Sequence, residues 1–142
     1  MNRPARLVVR LAGRLHVHLY RLLGGRLVGR VGRAPILLLT TTGRRSGRSR
    51  TAPLLYVRDG EAVAVVASFG GNPTHPDWYL NLEVDPHATV EIGRERLQLT
   101  ARTAEDDERA RLWRRFLEIY PTYAAYQRKT SREIPVVVLE RR

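Results

Sequence analysis

The sequence predicts an α+β protein: a small closed or half-open barrel of about six mostly antiparallel β-strands, with helices added to it. Six short runs have the apolar and β-branched character of strands, and turn signals separate them. Helical patterns interrupt these runs, and 142 residues with 43% apolar content suffice for one folded domain. The chain has no cysteine, which excludes disulfides, thiolate metal sites and a cysteine nucleophile.

The first predicted element is an amphipathic helix over residues 3–23. At about 100° per residue, its arginines fall within an arc of roughly 80°, broadly opposite a stripe of leucines. These charges exclude a membrane-spanning helix, and no convincing signal peptide is visible, so we expect a cytoplasmic protein. Two interpretations stay open: the stripe packs on the barrel, or it lies in an anionic bilayer interface at the inner face of the cell membrane.

The remaining elements follow in order after an irregular link over residues 29–35. Strands are predicted over 36–42, 51–58, 62–68, 88–92, 95–102 and 136–140, and helices over 76–82, 105–119 and 123–129. Pro53 has no N–H for the ladder, so it requires a strand edge or a bulge. Asp59-Gly60 is a hairpin signal, and Pro76 suits a first helical turn. We therefore divide the chain into a basic segment, 1–34, and a barrel domain, 35–142.

The positive charge lies in one part of the chain. Residues 1–58 contain thirteen arginines and no acidic residue, within a formal net charge of +11. Such asymmetry indicates an anionic partner: nucleic acid, a membrane surface or an acidic ligand. No aromatic residue lies between Tyr20 and Tyr56 and no recognised motif appears, which argues against nucleic acid. The histidine spacing predicts no metal site.

Residues 43–50, GRRSGRSR, form a glycine-spaced basic loop between two predicted strands. Arginine forks suit phosphate and carboxylate oxygens, and glycines let backbone N–H groups approach a ligand. The loop has neither the P-loop nor the dinucleotide spacing. It is either an anion site or a solvated basic turn. The candidate anion-binding residues are Arg44, Arg45, Ser46, Arg48 and Arg50.

A longer pattern favours the anion site. The strings TTGRRSGRSRTAPL, RDG, ASFGG, HPDWYLNL and YPTYAAYQRKTSREIPVVVLE occur in this order between residues 36 and 140. Together they resemble the deazaflavin-dependent nitroreductase family, split-β-barrel proteins that bind coenzyme F420. The resemblance implies an F420H2-dependent reductase that passes a hydride from reduced deazaflavin to a quinone, nitroaromatic or similar planar acceptor. FMN is the less favoured cofactor. The alternative is a non-catalytic barrel that binds lipid or a membrane surface.

The resemblance also implies site residues. The basic loop would contact the acidic cofactor tail through Arg44, Arg45, Ser46 and Arg50. The ring would be lined by residues of the second and third strands and the turn after them: Thr51, Ala52, Pro53, Leu54, Leu55, Val66, Ala67, Ser68 and Phe69. Phe69 stands where relatives often carry a lysine, which removes one expected cationic contact.

The helices carry the other candidates. Trp78 and Asn81 lie one helical turn apart and are cofactor-binding candidates that offer an apolar wall beside an amide, although Trp78 taken alone is more often a core residue. Tyr120, Tyr123 and Tyr126 would bound the acceptor and donate hydrogen bonds to its oxygens, with Tyr123 also contacting the cofactor. Ser68 joins these tyrosines as a catalytic candidate. The alternative is a tyrosine-rich helix packed on the barrel mouth.

Overall fold

The computed structural model describes residues 30–31 and 34–141 of the chain. Seven strands are present among them: β1 (Arg30–Val31), β2 (Ala34–Thr42), β3 (Ser49–Asp59), β4 (Ala62–Val66), β5 (His87–Ile92), β6 (Glu95–Thr103) and β7 (Val136–Glu140). The helices are α1 (Asp77–Val84), α2 (Asp106–Ile119) and α3 (Thr122–Lys129), and a 3-10 turn covers Phe69–Gly71. The helix predicted over residues 3–23 lies outside the described residues.

Six of the strands form a closed antiparallel barrel. Their order is β2-β3-β4-β7-β6-β5, and β5 pairs back to β2 through residues such as Val90 and Leu39. The short strand β1 pairs only with the beginning of β2 among the described strands. The barrel of six antiparallel strands with added helices is therefore confirmed. A closed sheet removes most of the exposed strand edges that would otherwise invite pairing with other chains.

The link predicted over residues 29–35 is wrong in its described part. Arg30 pairs with Pro35 and Val31 with Ala34, so this segment forms a short hairpin instead of an irregular connection. The sequence shows no strand pattern here, because the hairpin consists of only two residue pairs. The pairing depends on the continuation of β2, which is a tertiary contact rather than a local preference.

Pro53 is accommodated at an edge and not at a bulge. The β2–β3 register is continuous and pairs Leu38 with Pro53. On its other side, β3 pairs with β4 only through residues 56–59. Among the described strands, β2 is thus the sole neighbour of residues 49–55. Proline is tolerated here as at a sheet edge, because residues 49–55 have a strand partner on one side only among the described strands. This free edge adjoins the basic loop.

Side chains alternate between two apolar layers, as the two-residue period of a strand requires. The layer inside the barrel is closed at one end by Trp78 and Leu82 of α1. The outer layer lies beneath α2 and α3, where Phe116 is fully buried and Tyr123 is 6% exposed. Along β3, Tyr56 therefore belongs to the inner layer and Leu55 to the outer one.

The helix ends follow the predicted signals. Pro76 precedes the first residue of α1, and α2 begins with an acidic turn, which suits the positive end of the helix dipole. Within residues 30–31 and 34–141, no helix combines the length and apolar character needed to cross a bilayer.

Candidate active site

The basic loop is anchored to helix α1 by a buried amide. Asn81 is 2% exposed, and its Oδ1 accepts hydrogen bonds from Arg44 N at 3.1 Å and from Arg44 Nη1 at 3.0 Å. Its Nδ2 donates to Thr41 Oγ1 at 3.2 Å, and Arg44 Nη2 lies 3.4 Å from Asp77 Oδ1. Arg44 and Asn81 therefore fix the path of the loop, a role that the sequence pattern did not indicate.

The two loop glycines shape the turn, and their own N–H groups bond within it. Gly43 N donates to Arg48 O and Gly47 N to Gly43 O, both at 2.8 Å. A Cβ on Gly43 would lie 2.7 Å from Ser46 Oγ, and Gly47 has a φ of 70°. Glycine is needed because the loop closes on itself tightly.

The other loop arginines remain available to an anion. Arg45, Arg48 and Arg50 are exposed, and their guanidinium groups have no acidic partner in the part of the chain that the structure describes. Ser46 Oγ accepts from Arg48 N at 3.1 Å, so the serine is partly engaged within the loop. These three guanidinium groups lie on a loop that Asn81 of α1 anchors, so they form a preorganised surface for phosphate or carboxylate oxygens.

The predicted ring-contacting residues of β3 lie on opposite faces of the sheet. Ala52 and Leu54 pack with the inner layer, whereas Leu55 belongs to the outer layer. The hydroxyl of Thr51 contacts that of Thr40 at 2.8 Å. A flat ring does not reach both faces of a strand with side chains alone. Residues 51–55, including Pro53, instead share the backbone of the free edge, and a ring that contacts all of them would lie along this backbone.

The predicted residues after β4 are divided in the same way. Val66 is 4% exposed in the outer layer, and Ala67 is fully buried in the inner one. Ser68 and Phe69 are partly exposed, and Phe69 has a φ of 46°. Left-handed backbone is rare for a bulky residue and is found chiefly where surrounding contacts enforce it. Loop 67–72 is thus a constrained segment beside the free edge.

Arg132 enforces this loop, and the sequence pattern did not reveal it. Its Nη2 donates to Ser68 O at 2.6 Å, its Nη1 to Ala67 O at 3.1 Å and its Nε to Asn72 O at 2.8 Å. Its Nη1 also lies 3.0 Å from His75 Nδ1. Partial burial lowers the pKa of Arg132 from its usual value. In the sequence, Arg132 is one of several basic residues before the last strand, and nothing marks it out from Arg128 and Lys129.

Helix α3 packs on the same loop through Gly71. A Cβ on Gly71 would lie 2.6 Å from Tyr126 O, and its φ is 77°. Glycine is therefore required by both space and backbone conformation. The contact brings the loop with Ser68 and Phe69 against the helix with Tyr123 and Tyr126, two groups that the sequence predicted separately.

The three tyrosines form one aromatic cluster. The Tyr120 and Tyr123 ring centroids are 4.9 Å apart, those of Tyr123 and Tyr126 are 6.2 Å apart, and the Tyr120 and Tyr126 hydroxyls are 3.2 Å apart. The hydroxyl of Tyr123 has no hydrogen-bond partner among residues 34–141. The cluster leaves one phenol unpaired beside two that bond to each other.

Tyr123 and Tyr126 are in their protonated form at neutral pH, because the pKa of each phenol is raised. Burial, with smaller effects from Tyr120 and Tyr126, raises the pKa of Tyr123 far above its ordinary range. The hydrogen bond with Tyr120, followed by burial, raises the pKa of Tyr126. Tyr123 is therefore a hydrogen-bond donor held in an apolar setting, since Leu55 and Val66 belong to the same layer. Trp78 does not belong to this layer: it lies in the inner layer, where it is 9% exposed.

Comparison with known proteins identifies the family. Residues 12–141 match the family model of F420H2-dependent quinone reductases. An F420H2-dependent quinone reductase of Mycobacterium tuberculosis is 45% identical over 133 residues, which cover 91% of this chain and 89% of that protein.

Solved structures agree with the sequence match. The structure of an F420-H2 dependent reductase, FDR-A, superposes with a TM-score of 0.69 at 47% identity and covers 75% of this chain and 94% of its own. Another, described as a domain-swapped dimer, has a TM-score of 0.71 at 42% identity and covers 89% of this chain and 96% of its own. The chain therefore belongs to the family of F420H2-dependent quinone reductases.

Proposed function

We propose that this protein binds reduced coenzyme F420 between the basic loop, the free edge of β3 and loop 67–72, and reduces a quinone there. The observation that supports this site is the set of three exposed arginines, Arg45, Arg48 and Arg50, which have no acidic partner in the described chain, on a loop that Arg44 and Asn81 anchor. The bound deazaflavin supplies the hydride, whereas the protein supplies binding, orientation and a polar setting.

The residues present fit such a cofactor. Arg45 and Arg50 would bind the phosphodiester and carboxylates of the tail, with Ser46 offering its hydroxyl, and Arg44 would keep the loop in place from behind. The ring would lie along the backbone of the free edge of β3.

Tyr123 would act on the acceptor. Its Oη–H is unpaired within the described residues and remains protonated, so it suits donation to a quinone oxygen on which negative charge develops. Tyr120 and Tyr126 hold each other through their hydroxyls and form the wall beside it. Ser68 would offer a second donor from loop 67–72. The final proton comes from Tyr123 Oη or from water.

A phenylalanine at Tyr123 tests this role. Tyr123→Phe keeps the ring packing and removes only the hydroxyl, so we expect lower kcat with little change in Tm. Loss of a general acid typically lowers turnover by about 10²–10⁴-fold, and a smaller decrease would indicate that Tyr123 only orients the acceptor. Tyr79→Phe is the control, because Tyr79 donates or accepts at Thr103 and lies outside the cluster. Unchanged turnover in Tyr123→Phe would remove this phenol from the mechanism.

The acceptor class follows from the same surfaces. Quinones are planar and carry ring oxygens, so an aromatic cluster with one free phenol suits them. Nitroaromatics share the planar ring and the oxygen acceptors, and we include them as further substrates of the same site. Menaquinone-type acceptors reside in membranes, which gives the basic segment of the chain a role.

We propose that residues 3–23 hold the protein on the inner, anionic face of the cell membrane, with the barrel on the cytoplasmic side. The support is the arginine arc and leucine stripe in the sequence, since each basic residue near an anionic surface contributes about 1 kcal/mol. Deletion of residues 1–23 should abolish sedimentation with phosphatidylglycerol vesicles and preserve F420 affinity. Insoluble truncated protein, or vesicle binding that survives deletion, would contradict this role.

Cofactor titration tests the site most simply. We expect F420 to bind more tightly than a deazaflavin that lacks the phosphodiester tail, and both to bind more tightly than FMN. Added salt should weaken F420 more than the tailless compound, because only the tail engages exposed charges. Equal affinity for the two deazaflavins would show that loop 43–50 is a solvated turn.

A further inference from the structure

We propose that Arg132 is a positioning residue that holds loop 67–72 in its strained conformation, and that the hold is complete only while His75 is neutral. The inference rests on the proposed function, because loop 67–72 carries the candidate residues Ser68 and Phe69. Three backbone carbonyls and His75 occupy the guanidinium of Arg132, so it would act on the reaction through the loop.

The contacts of Arg132 join the two ends of the loop. Ala67 O and Ser68 O lie at the start of the loop, and Asn72 O lies at its end. The Arg132 guanidinium donates a hydrogen bond to each of these three carbonyl oxygens, at 2.6–3.1 Å. No carboxylate pairs with Arg132 in the part of the chain described here. The charge is thus compensated mainly by carbonyl dipoles, which is a specific use of an arginine fork.

The segment with Arg132 is held in turn by helix α3. Gln127 Nε2 donates to Arg132 O at 2.8 Å, and Gln127 Oε1 accepts from Ile134 N at 2.9 Å. The loop, the Arg132 segment and the tyrosine helix therefore form one connected unit. A displacement of Arg132 would shift the loop relative to the tyrosines.

The loop needs this hold because Phe69 opposes its conformation. Phe69 has a φ of 46°, where the Cβ of an L-residue is crowded by its own backbone. The neighbouring positive φ values, 62° at Gly70 and 77° at Gly71, occur at glycines, which tolerate them. Without Arg132, the Phe69 backbone would relax toward negative φ and reorient the flanking peptides.

His75 makes the hold dependent on pH. A guanidinium only donates, so His75 Nδ1 accepts from Arg132 Nη1 and the ring proton resides on Nε2. Burial and the charge of Arg132 lower the pKa of His75 below its ordinary value, whereas Glu83 on α1 opposes this shift and Tyr79 packs on the ring at 4.7 Å. Protonation of His75 would place its Nδ1–H donor against the Nη1–H donor of Arg132, and would bring two positive charges together. Since the folded pKa is the lower one, the stabilisation is present at neutral pH and is lost as the pH falls through it.

Amide hydrogen exchange of the cofactor-free protein tests the hold. The amides of Ala67, Gly71 and Asn72 are bonded within or beside the loop and report its opening. In Arg132→Gln we expect them to exchange about tenfold faster or more, because bonds to charged groups contribute strongly. Barrel amides should keep their rates. Arg128→Gln removes the same charge from an exposed position of α3, four residues earlier in the chain, and should change no loop exchange rate.

Two further variants separate positioning from general damage. Phe69→Asn should slow the loop exchange of Arg132→Gln, because asparagine tolerates left-handed backbone. His75→Phe should exchange faster than wild type at neutral pH and should lack the acid-induced acceleration of the wild type, after correction for intrinsic exchange. If Arg132→Gln does not fold, His75→Phe alone decides, since it removes one bond only.

F420 titration of the same variants links the hold to function. Arg132→Gln should raise the Kd for F420 or lower kcat/KM by about tenfold, in proportion to loop opening. Wild-type loop exchange in Arg132→Gln, or fast loop exchange with wild-type affinity and turnover, would overturn the proposal. Failure of the wild-type protein to bind F420 would instead refute the proposed function, and the exchange data would still decide whether Arg132 holds the loop.

Discussion

Asn81→Ala separates two roles for this amide. The sequence analysis makes Asn81 a cofactor-binding candidate, whereas in the structure its oxygen accepts twice from Arg44 and its nitrogen donates to Thr41. If the amide serves the loop, its removal harms the protein without cofactor. If it serves the ring, the cofactor-free protein is unaffected and only binding weakens.

The magnitude follows from the partners that lose their bonds. Thr41 is 2% exposed, so its hydroxyl is left without a partner or with a poorly placed water, and Arg44 loses two bonds at a partly exposed site. Together we expect a loss of about 2–3 kcal/mol in the free energy of unfolding. For a domain of this size, that corresponds to a decrease in Tm of roughly 6–12 °C.

The assay is thermal unfolding of the cofactor-free protein, followed by F420 titration below the transition. Gln98→Ala is the matched control, since it removes an amide that bonds Thr89 Oγ1 at 3.1 Å on the exposed barrel surface. It should change Tm by no more than a degree or two. A wild-type Tm for Asn81→Ala together with weakened F420 binding would refute the anchoring role and support direct contact with the ring.

Two further predictions concern the loops. Arg45→Ala and Arg50→Ala should each raise the Kd for F420 about tenfold or more at low salt, and less at high salt, whereas Arg48→Ala should have the smaller effect. Fluorescence titration of F420 at two ionic strengths measures these Kd values. Equal effects of all three variants would indicate that the loop attracts the cofactor by its total charge and not by specific contacts. Gly71→Ala should lower Tm more than Gly70→Ala, although both residues have positive φ, because a Cβ only at Gly71 meets a carbonyl oxygen of α3, at 2.6 Å; equal decreases in Tm would show that strain alone decides.

The barrel could be predicted from the sequence because its signals are local. The apolar run at the centre of β3, the Asp59-Gly60 turn and the acidic start of α2 each specify an element within a few residues. The observed strand ends differ from the predicted ones where tertiary contacts determine them. For example, Ser49 joins β3 because it pairs with Thr42 across the basic loop.

The arrangement of the site could be predicted only in part. Charge and aromatic type marked the basic loop and the tyrosines, but Arg44 bonds an amide 37 residues away and Arg132 bonds carbonyls 60 to 65 residues away. Backbone carbonyls carry no sequence signal, so nothing local distinguishes Arg132 from a solvated arginine. Likewise, the glycine spacing of the loop does not indicate which N–H groups close the turn, and Gly43 donates its own to Arg48 O. Residue type predicted the chemistry, and the fold decided the partners.

The most direct measurement of the central claim is anaerobic oxidation of reduced F420 by a soluble menaquinone analogue, followed through the deazaflavin absorbance with purified full-length protein. We predict saturable turnover that depends on both substrates, falls in Arg45→Ala through a raised KM for reduced F420, and falls in Tyr123→Phe through kcat. Turnover no faster than the reaction without protein, at saturating reduced F420, would contradict the account.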